Sequence, residues 1–436
     1  MNELLASQHV VVAGLGMTGQ SVVRFLTETG ASVKVWDTRP DARVPDNITV
    51  PVTAGEVPPG YWENVDTLVL SPGISPSHPS VKSAALSGVE VIGDIELFAR
   101  LSRTPAFGIT GSNGKTTVTL LLTHILNQAG LKACAAGNVG RPVLDTIGEG
   151  FDYMVLELSS FQLETTSSLN LLAATILNVS DDHLDRHGTL AAYANAKQRI
   201  FAHCQHAVIW QGHPETIPQS YVAETTLYQA SESKTGFGFV NQAITWQGKA
   251  VLPMSEVKLA GTHNVLNIQA ALAMALVAGV SIETACDGVK TFEPAPHRCV
   301  EIANTQGVRW IDDSKATNAG ATLAALEGLG RDKTGKLILI AGGDGKGADL
   351  SVLREPLLQY VDLVLTIGKD GRQISDLIPG AHYLPDLPSA VQLAAQQAEP
   401  GDMVLLSPAC ASIDMFDNYA HRARVFAEAV HGVSGK

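Results

Sequence analysis

Charged residues are scarce in this chain: they make up 17% of its 436 residues, against 45% for the hydrophobic ones. A chain this apolar buries enough surface to fold, so the composition excludes the disordered and fibrous classes. Long apolar runs are missing too. No stretch reaches the ~18 continuous apolar residues that a membrane-spanning helix requires, and no membrane span is expected. Cysteine is sparse. The five (Cys134, Cys204, Cys286, Cys299, Cys410) are odd in number and never form a C-x-x-C pair, so neither a disulfide framework nor structural zinc is expected. Excess positive charge is absent. The formal charge of −13 argues against a general nucleic-acid surface, and an anionic ligand would need a local cationic pocket. Met1-Asn2-Glu3-Leu4 lacks the basic, apolar and small-residue zones of a secretory leader, so a cytoplasmic protein is expected. Internal repeats and low-complexity tracts are also lacking.

What is present is a long alternation of β-branched runs and helical stretches. The length exceeds one core and suggests about three domains. His9–Ala13, Ser32–Trp36, Thr67–Leu70 and Glu90–Ile92 read as strands, with helices at Ser21–Thr29 and Val81–Ser87 between them. That pattern is a parallel sheet, with a ligand site at the carboxyl ends of its strands. Ala106–Thr110 reads as a further strand, followed by a glycine-bearing loop and a helix over Thr117–Ala129 that Gly130 closes. Tyr153–Leu156 and Ala173–Asn178 read as strands, and 261–279 as a long helix, Ala-rich after Asn267. Two prolines in Glu293-Pro294-Ala295-Pro296 mark a boundary. Beyond it Val308–Ile311, Leu337–Ala341, Leu363–Ile367 and Met403–Ser407 read as strands of a third unit. The fold class expected is α/β with three domains: a Rossmann-like unit over 1–93, a central P-loop ATPase-like unit with a mainly parallel sheet over 94–297, and a Rossmann-like unit over 298–436.

Two glycine-rich turns point to nucleotides. Gly14-Leu15-Gly16-Met17-Thr18-Gly19 follows a strand, and Asp37 ends the next one. Alone this is the dinucleotide fingerprint, with an acid for the ribose hydroxyls. It is equally a tight turn that selects glycine for its geometry, or the seat of another diphosphate such as UDP, for which Thr38 and Arg39 would add contacts. Gly111-Ser112-Asn113-Gly114-Lys115-Thr116-Thr117 is sharper, because it stands between a strand and a helix. Backbone N–H groups at a helix N-terminus face phosphate, Lys115 neutralises it and Thr116 can hold Mg²⁺. The first glycine of the strict P-loop pattern is replaced by Ile109, and the extra glycine is Gly111. The flanking strand and helix make this an ATP loop.

Oxygen-rich strand ends supply metal candidates. Glu157 closes an apolar strand and suits the hard Mg²⁺ ion, although a strand-end acid can simply face solvent. Asn178 to Arg186 holds three acids and His183. It is either a solvated turn or part of the same Mg²⁺ site. Lys197 on its helix is mute in sequence terms. In the last unit Asp312 to Asn318, Gly342 to Lys346 and Ser407 to Ser412 each follow a strand with small, hydroxyl or cationic residues, a reasonable pocket for a carboxylate co-substrate. Cys410 lacks an accompanying histidine motif and reads as a packed thiol rather than a nucleophile.

In order, Thr110 to Thr116, Glu157-Leu158-Ser159-Ser160-Phe161-Gln162-Leu163, Asn178 to His183 and Pro296-His297-Arg298 resemble the Mur ligases of peptidoglycan synthesis. Gly14 to Gly19, Asp37-Thr38-Arg39, Asp313 to Asn318 and Ser407 to Ser412 resemble the branch that adds D-glutamate. The likeness spans about residues 10–425. The folylpolyglutamate synthetases share the ATPase unit but not this N-terminal one. The resemblance implies a ligase that phosphorylates the alanine carboxylate of UDP-N-acetylmuramoyl-L-alanine with ATP and passes it to D-glutamate through an acyl phosphate and a tetrahedral intermediate. It implies Lys115 on the β/γ-phosphates, Thr116 on one Mg²⁺, and Glu157 and His183 on a second, with Lys197 as a carbamate. Lys115, His183 and Lys197 would be the catalytic residues. Asn267, Arg298, Asp313 and Lys315 would join Gly111–Thr117 at ATP. Met17, Thr18, Asp37, Thr38, Arg39, Ser71, Gly73 and Asn138 would hold the UDP substrate. Thr317, Lys346, Ser412 and Tyr419 would seat D-glutamate, Tyr419 departing from the phenylalanine frequent there. A monomer is expected. An NAD(P)-dependent oxidoreductase resting on Gly14 to Asp37, and a non-catalytic nucleotide switch, are the competing readings; the first leaves the ATP loop unexplained and the second the sites outside it.

Overall fold

Three parallel-rich sheets follow one another along the chain in this computed structural model, which describes residues 6–259, 262–294, 296–330 and 333–434. Met1–Leu4, Gly261 and Ala295, on which sequence expectations fell, lie outside the described residues.

The first sheet contains β1 (His9–Ala13), β2 (Ser32–Asp37), β3 (Val52–Ala54), β4 (Thr67–Leu70) and β5 (Glu90–Gly93), all paired in parallel in the order β3-β2-β1-β4-β5. The strand order reverses beside β1, which opens a crevice between β1 and β4 at their carboxyl ends. Gly14 turns there with φ +97°, and a Cβ on it would lie 2.8 Å from Ser71 Oγ. A Cβ on Gly19 would meet the Gly14 carbonyl oxygen at 1.9 Å. The following helix therefore rests directly on the turn, and it begins at Met17 rather than at Ser21.

The second sheet holds β6 (Ala106–Thr110), β7 (Ala133–Gly137), β8 (Tyr153–Glu157), β9 (Leu171–Ile176), β10 (Cys204–Trp210), β11 (Glu224–Tyr228), β12 (Phe237–Val240), β13 (Ala243–Trp246) and β14 (Lys249–Pro253). Its order is β14-β13-β12-β11-β10-β9-β6-β8-β7, parallel from β7 across to β12 and antiparallel in the β12-β13-β14 meander. Every residue of β6 is buried, as a central parallel strand demands. Helix Lys115–Gln128 packs on helix Thr262–Val277, where Ile268 and Ala270 to Ala275 are fully buried. Alanine there favours the helix and lets a neighbour approach closely, while Leu121, Leu122 and Ile125 fill the space opposite.

The third sheet comprises β15 (Val300–Thr305), β16 (Val308–Asp312), β17 (Leu337–Gly342), β18 (Leu363–Ile367), β19 (His382–Tyr383) and β20 (Met403–Leu406), in the order β15-β16-β20-β17-β18-β19. Only the β15–β16 pair is antiparallel.

Polar contacts tie the first two sheets together. Ser21 Oγ and Arg24 Nη2 both donate to Asp145 at 2.7 Å. Buried Glu96 accepts from Ser167 N–H at 2.7 Å and from Ser168 N–H at 2.9 Å. Burial opposes its charge, but these donors and Arg100 prevail and hold the carboxyl at about 2. Among the described residues no helix is long and apolar enough to cross a membrane.

Candidate functional site

The loop after β6 is shaped by backbone needs. Gly111 has φ +153° and Gly114 φ +84°, and a Cβ on Gly114 would lie 2.5 Å from Asn267 Oδ1. Gly114 is the N-cap of helix Lys115–Gln128, so the helix presents its first N–H groups at the loop. Asn178 clamps the loop from β9: its Oδ1 accepts the Asn113 N–H at 2.8 Å and its Nδ2 donates to the Asn113 carbonyl at 3.1 Å. Ser112 Oγ accepts the Ser180 N–H at 2.9 Å and lies 3.3 Å from the Tyr193 hydroxyl.

Two lysines converge on this loop. Lys115 Nζ donates to the carbonyls of Gly111 and Ser112 at 2.8 and 2.9 Å. Lys197, 1% exposed, donates to the same Gly111 carbonyl at 2.9 Å and stands 4.1 Å from the centre of the Tyr193 ring. Burial lowers the affinity of both amines for a proton. For Lys197 the depression is deep, and the charge of Lys115 adds to it while Asp182 and Glu157 oppose it. Sequence gave Lys197 no role of its own, yet the fold brings it to the phosphate loop.

Glu157 ends β8 at 2% exposure. Its Oε1 accepts from Asn138 Nδ2 at 2.6 Å, and its buried Oε2 has no hydrogen-bond partner. His183 holds φ +54°, and burial pushes its imidazole down to about 4, so the ring is neutral at physiological pH. An orphaned carboxylate oxygen and a neutral imidazole are both able to bind a divalent cation, and Thr116, buried in the first helical turn, adds a hydroxyl. Among the described residues no three His, Cys, Asp or Glu side chains gather as a metal site. The expected set of Thr116, Glu157, His183 and Lys197 contains only two of those types.

A cavity of about 460 Å³ opens beside the loop. Asn113, Gly114, Thr117 and Asn267 line it together with Arg298 and Asp313 of the third unit. These six come from the expected ATP set; Gly111, Ser112, Lys115, Thr116 and Lys315 do not line the cavity. Trp210, His213 and Tyr228 also line it, at the ends of β10 and β11 and just beyond. Sequence reading missed them, and the apolar run Ala207-Val208-Ile209 before Trp210 is the signal that could have found that strand. Burial raises Asp313 to about 7, against the opposing hydrogen bond from Ser407 Oγ at 2.7 Å. Burial, then the nearby Arg298, lowers Lys315 to about 8, and its Nζ lies 3.8 Å from the centre of the Tyr419 ring.

The expected glutamate residues surround the loops of the third sheet. Lys346 follows β17 and forms an ion pair with buried Asp182, while its carbonyl accepts the Asp185 N–H at 3.3 Å. Thr317 follows Lys315, Ser412 is buried after β20, and Tyr419 opens the last helix. Cys410 is fully buried and burial pushes its thiol up to about 12, which fits a packed side chain.

At the first sheet, Met17 is 83% exposed, Thr18 and Thr38 are half-buried, and Arg39 and Gly73 face solvent. Ser71 Oγ is buried without a partner beside Gly14. Asp37 is already committed. Its Oδ2 accepts the Leu15 N–H at 3.0 Å and Arg39 Nη2 at 2.9 Å, and its Oδ1 accepts Arg39 Nε at 2.9 Å. Those bonds, the Arg39 side chain first, hold its carboxyl below the usual range. The acid braces the glycine turn, a use the dinucleotide fingerprint does not require. Asn138 directly follows β7 of the second sheet, and its Nδ2 donates to Glu157 Oε1 at 2.6 Å.

Comparison with known proteins gives a consistent result across the chain. Residues 8–93 match the Mur ligase MurD-like N-terminal domain, 109–275 the Mur ligase middle domain, and 297–410 the Mur ligase glutamate ligase domain. The UDP-N-acetylmuramoylalanine–D-glutamate ligase of Marinobacter nauticus is 42% identical over 453 residues, covering 99% of this chain and 100% of the relative. That of Alcanivorax borkumensis is 43% identical over 424 residues, covering 95% and 96%. In fold, the chain is similar to the UDP-N-acetylmuramate-alanine ligase of Thermotoga maritima, with a TM-score of 0.64 at 17% identity over 98% and 100% of the two chains.

Proposed function

Because the chain belongs to the Mur ligase family, among the UDP-N-acetylmuramoylalanine–D-glutamate ligases, we propose that this ATP-dependent ligase joins D-glutamate to UDP-N-acetylmuramoyl-L-alanine, releasing ADP and phosphate. The observation that carries the reading is the cavity whose walls come from both the phosphate loop and the third unit. A pocket divided in this way suits an enzyme that must bring ATP and a second substrate together before reacting.

Residues 1–93 hold the UDP-sugar at the crevice between β1 and β4, through Met17, Thr18, Thr38, Arg39, Ser71 and Gly73. The partnerless Ser71 hydroxyl supports a polar ligand there. Residues 94–297 hold ATP, with the N–H groups of the loop and Lys115 on its phosphates and Asn267 beside the loop. Residues 298–436 complete that site with Arg298, Asp313 and Lys315, and seat D-glutamate through Thr317, Lys346, Ser412 and Tyr419. Lys346 and Ser412 supply a cation and a hydroxyl suited to a carboxylate.

An oxygen of the alanine carboxylate attacks the γ-phosphorus, and ADP leaves. The carbonyl carbon has become a good electrophile, since its leaving group is now phosphate. The neutral amine nitrogen of D-glutamate attacks it, the tetrahedral intermediate gives up the extra proton on that nitrogen, and phosphate departs as the amide closes. Lys115 offsets charge on the transferring phosphoryl group, while the clamped loop keeps it in line. Two bound Mg²⁺ ions would add neutralising charge at the transferring phosphoryl group. Thr116, Glu157 and His183 would hold them. Lys197 suits carbamate formation: a buried amine of depressed pKa is a nucleophile toward CO₂, and the adduct exchanges a repulsive cation for an anionic oxygen ligand. The protein acts as a cytoplasmic monomer.

The test is inorganic phosphate release by purified protein. It should require ATP, UDP-N-acetylmuramoyl-L-alanine and D-glutamate together, with no oxidation of NADH. Phosphate release that ignores either co-substrate would sink the proposal.

A further inference from the structure

One side chain of the third unit hydrogen-bonds to two residues of the second. Asn318, 4% exposed, sits where β16 has ended and helix Ala319–Gly330 begins. Its Oδ1 accepts the Ala321 N–H at 2.9 Å and so caps that helix. Its Nδ2 reaches into the neighbouring unit and donates to Asn113 Oδ1 at 3.0 Å and to Asp182 Oδ2 at 3.1 Å. Asn113 is the loop residue whose backbone Asn178 clamps on both sides, and Asp182 is the carboxylate that also pairs with Lys346. The fit is close around it: a Cβ on Gly320 would lie 3.1 Å from Asn113 Nδ2 and 3.2 Å from Ser180 Oγ. A single amide thus reads two surfaces, the end of its own helix and the phosphate loop opposite.

We propose that Asn318 is a positioning residue for phosphoryl transfer: through Asn113 and Asp182 it makes the shape of the phosphate loop conditional on docking of the unit that supplies Arg298 and Asp313. Asn113 is held in its backbone from β9 and in its side chain from the third unit, so the loop is fully restrained only when both units meet. Asp182 joins the two halves of the same seam, because one oxygen takes Asn318 and the other Lys346. This rests on the reading of the loop as an ATP site, and it assigns Asn318 no contact with substrate.

Two substitutions separate the bridge from the cap. Asn318→Ser keeps a good N-cap but is too short to reach Asn113 and Asp182. Asn318→Asp also keeps the cap, loses both donors and sets a carboxylate against Asp182. Melting temperature, ADP affinity by calorimetry with Mg²⁺, and steady-state kinetics are compared with the unaltered protein. The melting temperature should hold, while kcat and ADP affinity fall by about ten-fold in the serine variant and further in the aspartate variant, as expected for lost buried donors. KM for UDP-N-acetylmuramoyl-L-alanine should stay within about two-fold, because the first sheet is untouched. Values of kcat and ADP affinity within about two-fold of the unaltered protein in both variants would overturn the proposal, and so would losses that track a fall in melting temperature. ADP binding is read without turnover, so a wrong choice of amino-acid substrate would leave this arm intact and would be seen separately in the unaltered enzyme.

Discussion

Replacing Asp313 by asparagine should change how stability depends on pH, in a direction the buried site dictates. Asp313 is 6% exposed, and burial raises its carboxyl from the ordinary 3.8 to about 7. Between those values the native chain keeps a proton that the unfolded chain has released, so stability falls as pH rises. The loss is complete above the folded value. At about 1.36 kcal/mol per pH unit it amounts to roughly 4 kcal/mol. Asparagine carries no charge, and its Oδ1 can still accept from Ser407 Oγ, so Asp313→Asn removes this slope at the cost of the longer 3.3 Å bond from the Cys299 N–H, a loss that does not vary with pH. Urea unfolding followed by tryptophan fluorescence, in a background where the other four tryptophans are replaced by phenylalanine, makes Trp310, buried in β16, report on the same unit. The variant should gain on the unaltered protein by about 3–4 kcal/mol between about pH 4.5 and pH 8, a midpoint shift of more than about 1 M. A difference constant to about 0.5 kcal/mol over that range would refute the assignment of a protonated, buried Asp313.

Other substitutions probe the remaining parts. Lys197→Ala should lose activity and regain some with added short carboxylates, which can stand where the carbamate would; unchanged turnover would remove the carbamate. Glu157→Gln should lower kcat by about 100-fold or more and weaken its Mg²⁺ dependence, since the partnerless Oε2 becomes an amide or a neutral carbonyl. An unaltered Mg²⁺ titration would exclude Glu157 as a ligand. Cys410→Ser should keep kcat within about three-fold, because a fully buried thiol at about 12 is not a nucleophile; a lost acyl transfer would contradict that.

What sequence could reveal was local. The strand Ala106–Thr110, the glycine loop and its helix were legible because each signal lies within a few residues of the next, and the observed strand has those same bounds. The α/β alternation was legible for the same reason. The β12–β14 meander was not, since Phe237–Pro253 mixes short runs without a strong period and its partners are found only by pairing. Distance along the chain hid the rest. Asn178 grips Asn113 from 65 residues away and Asn318 from 205, and no spacing rule joins them. Asp37 shows the converse, a motif position whose carboxylate turns inward to Leu15 and Arg39 instead of outward to a ribose. Burial, too, is a property of the fold: nothing local distinguishes Lys197 from a surface lysine, yet it is almost wholly enclosed.

A ligase that couples ATP cleavage to one amide bond is singled out by a panel of amino acids offered to the enzyme. With ATP, Mg²⁺ and UDP-N-acetylmuramoyl-L-alanine present, phosphate release should appear with D-glutamate and be matched mole for mole by the amide product in mass spectrometry. Product formation with L-lysine or meso-diaminopimelate, and none with D-glutamate, would contradict it.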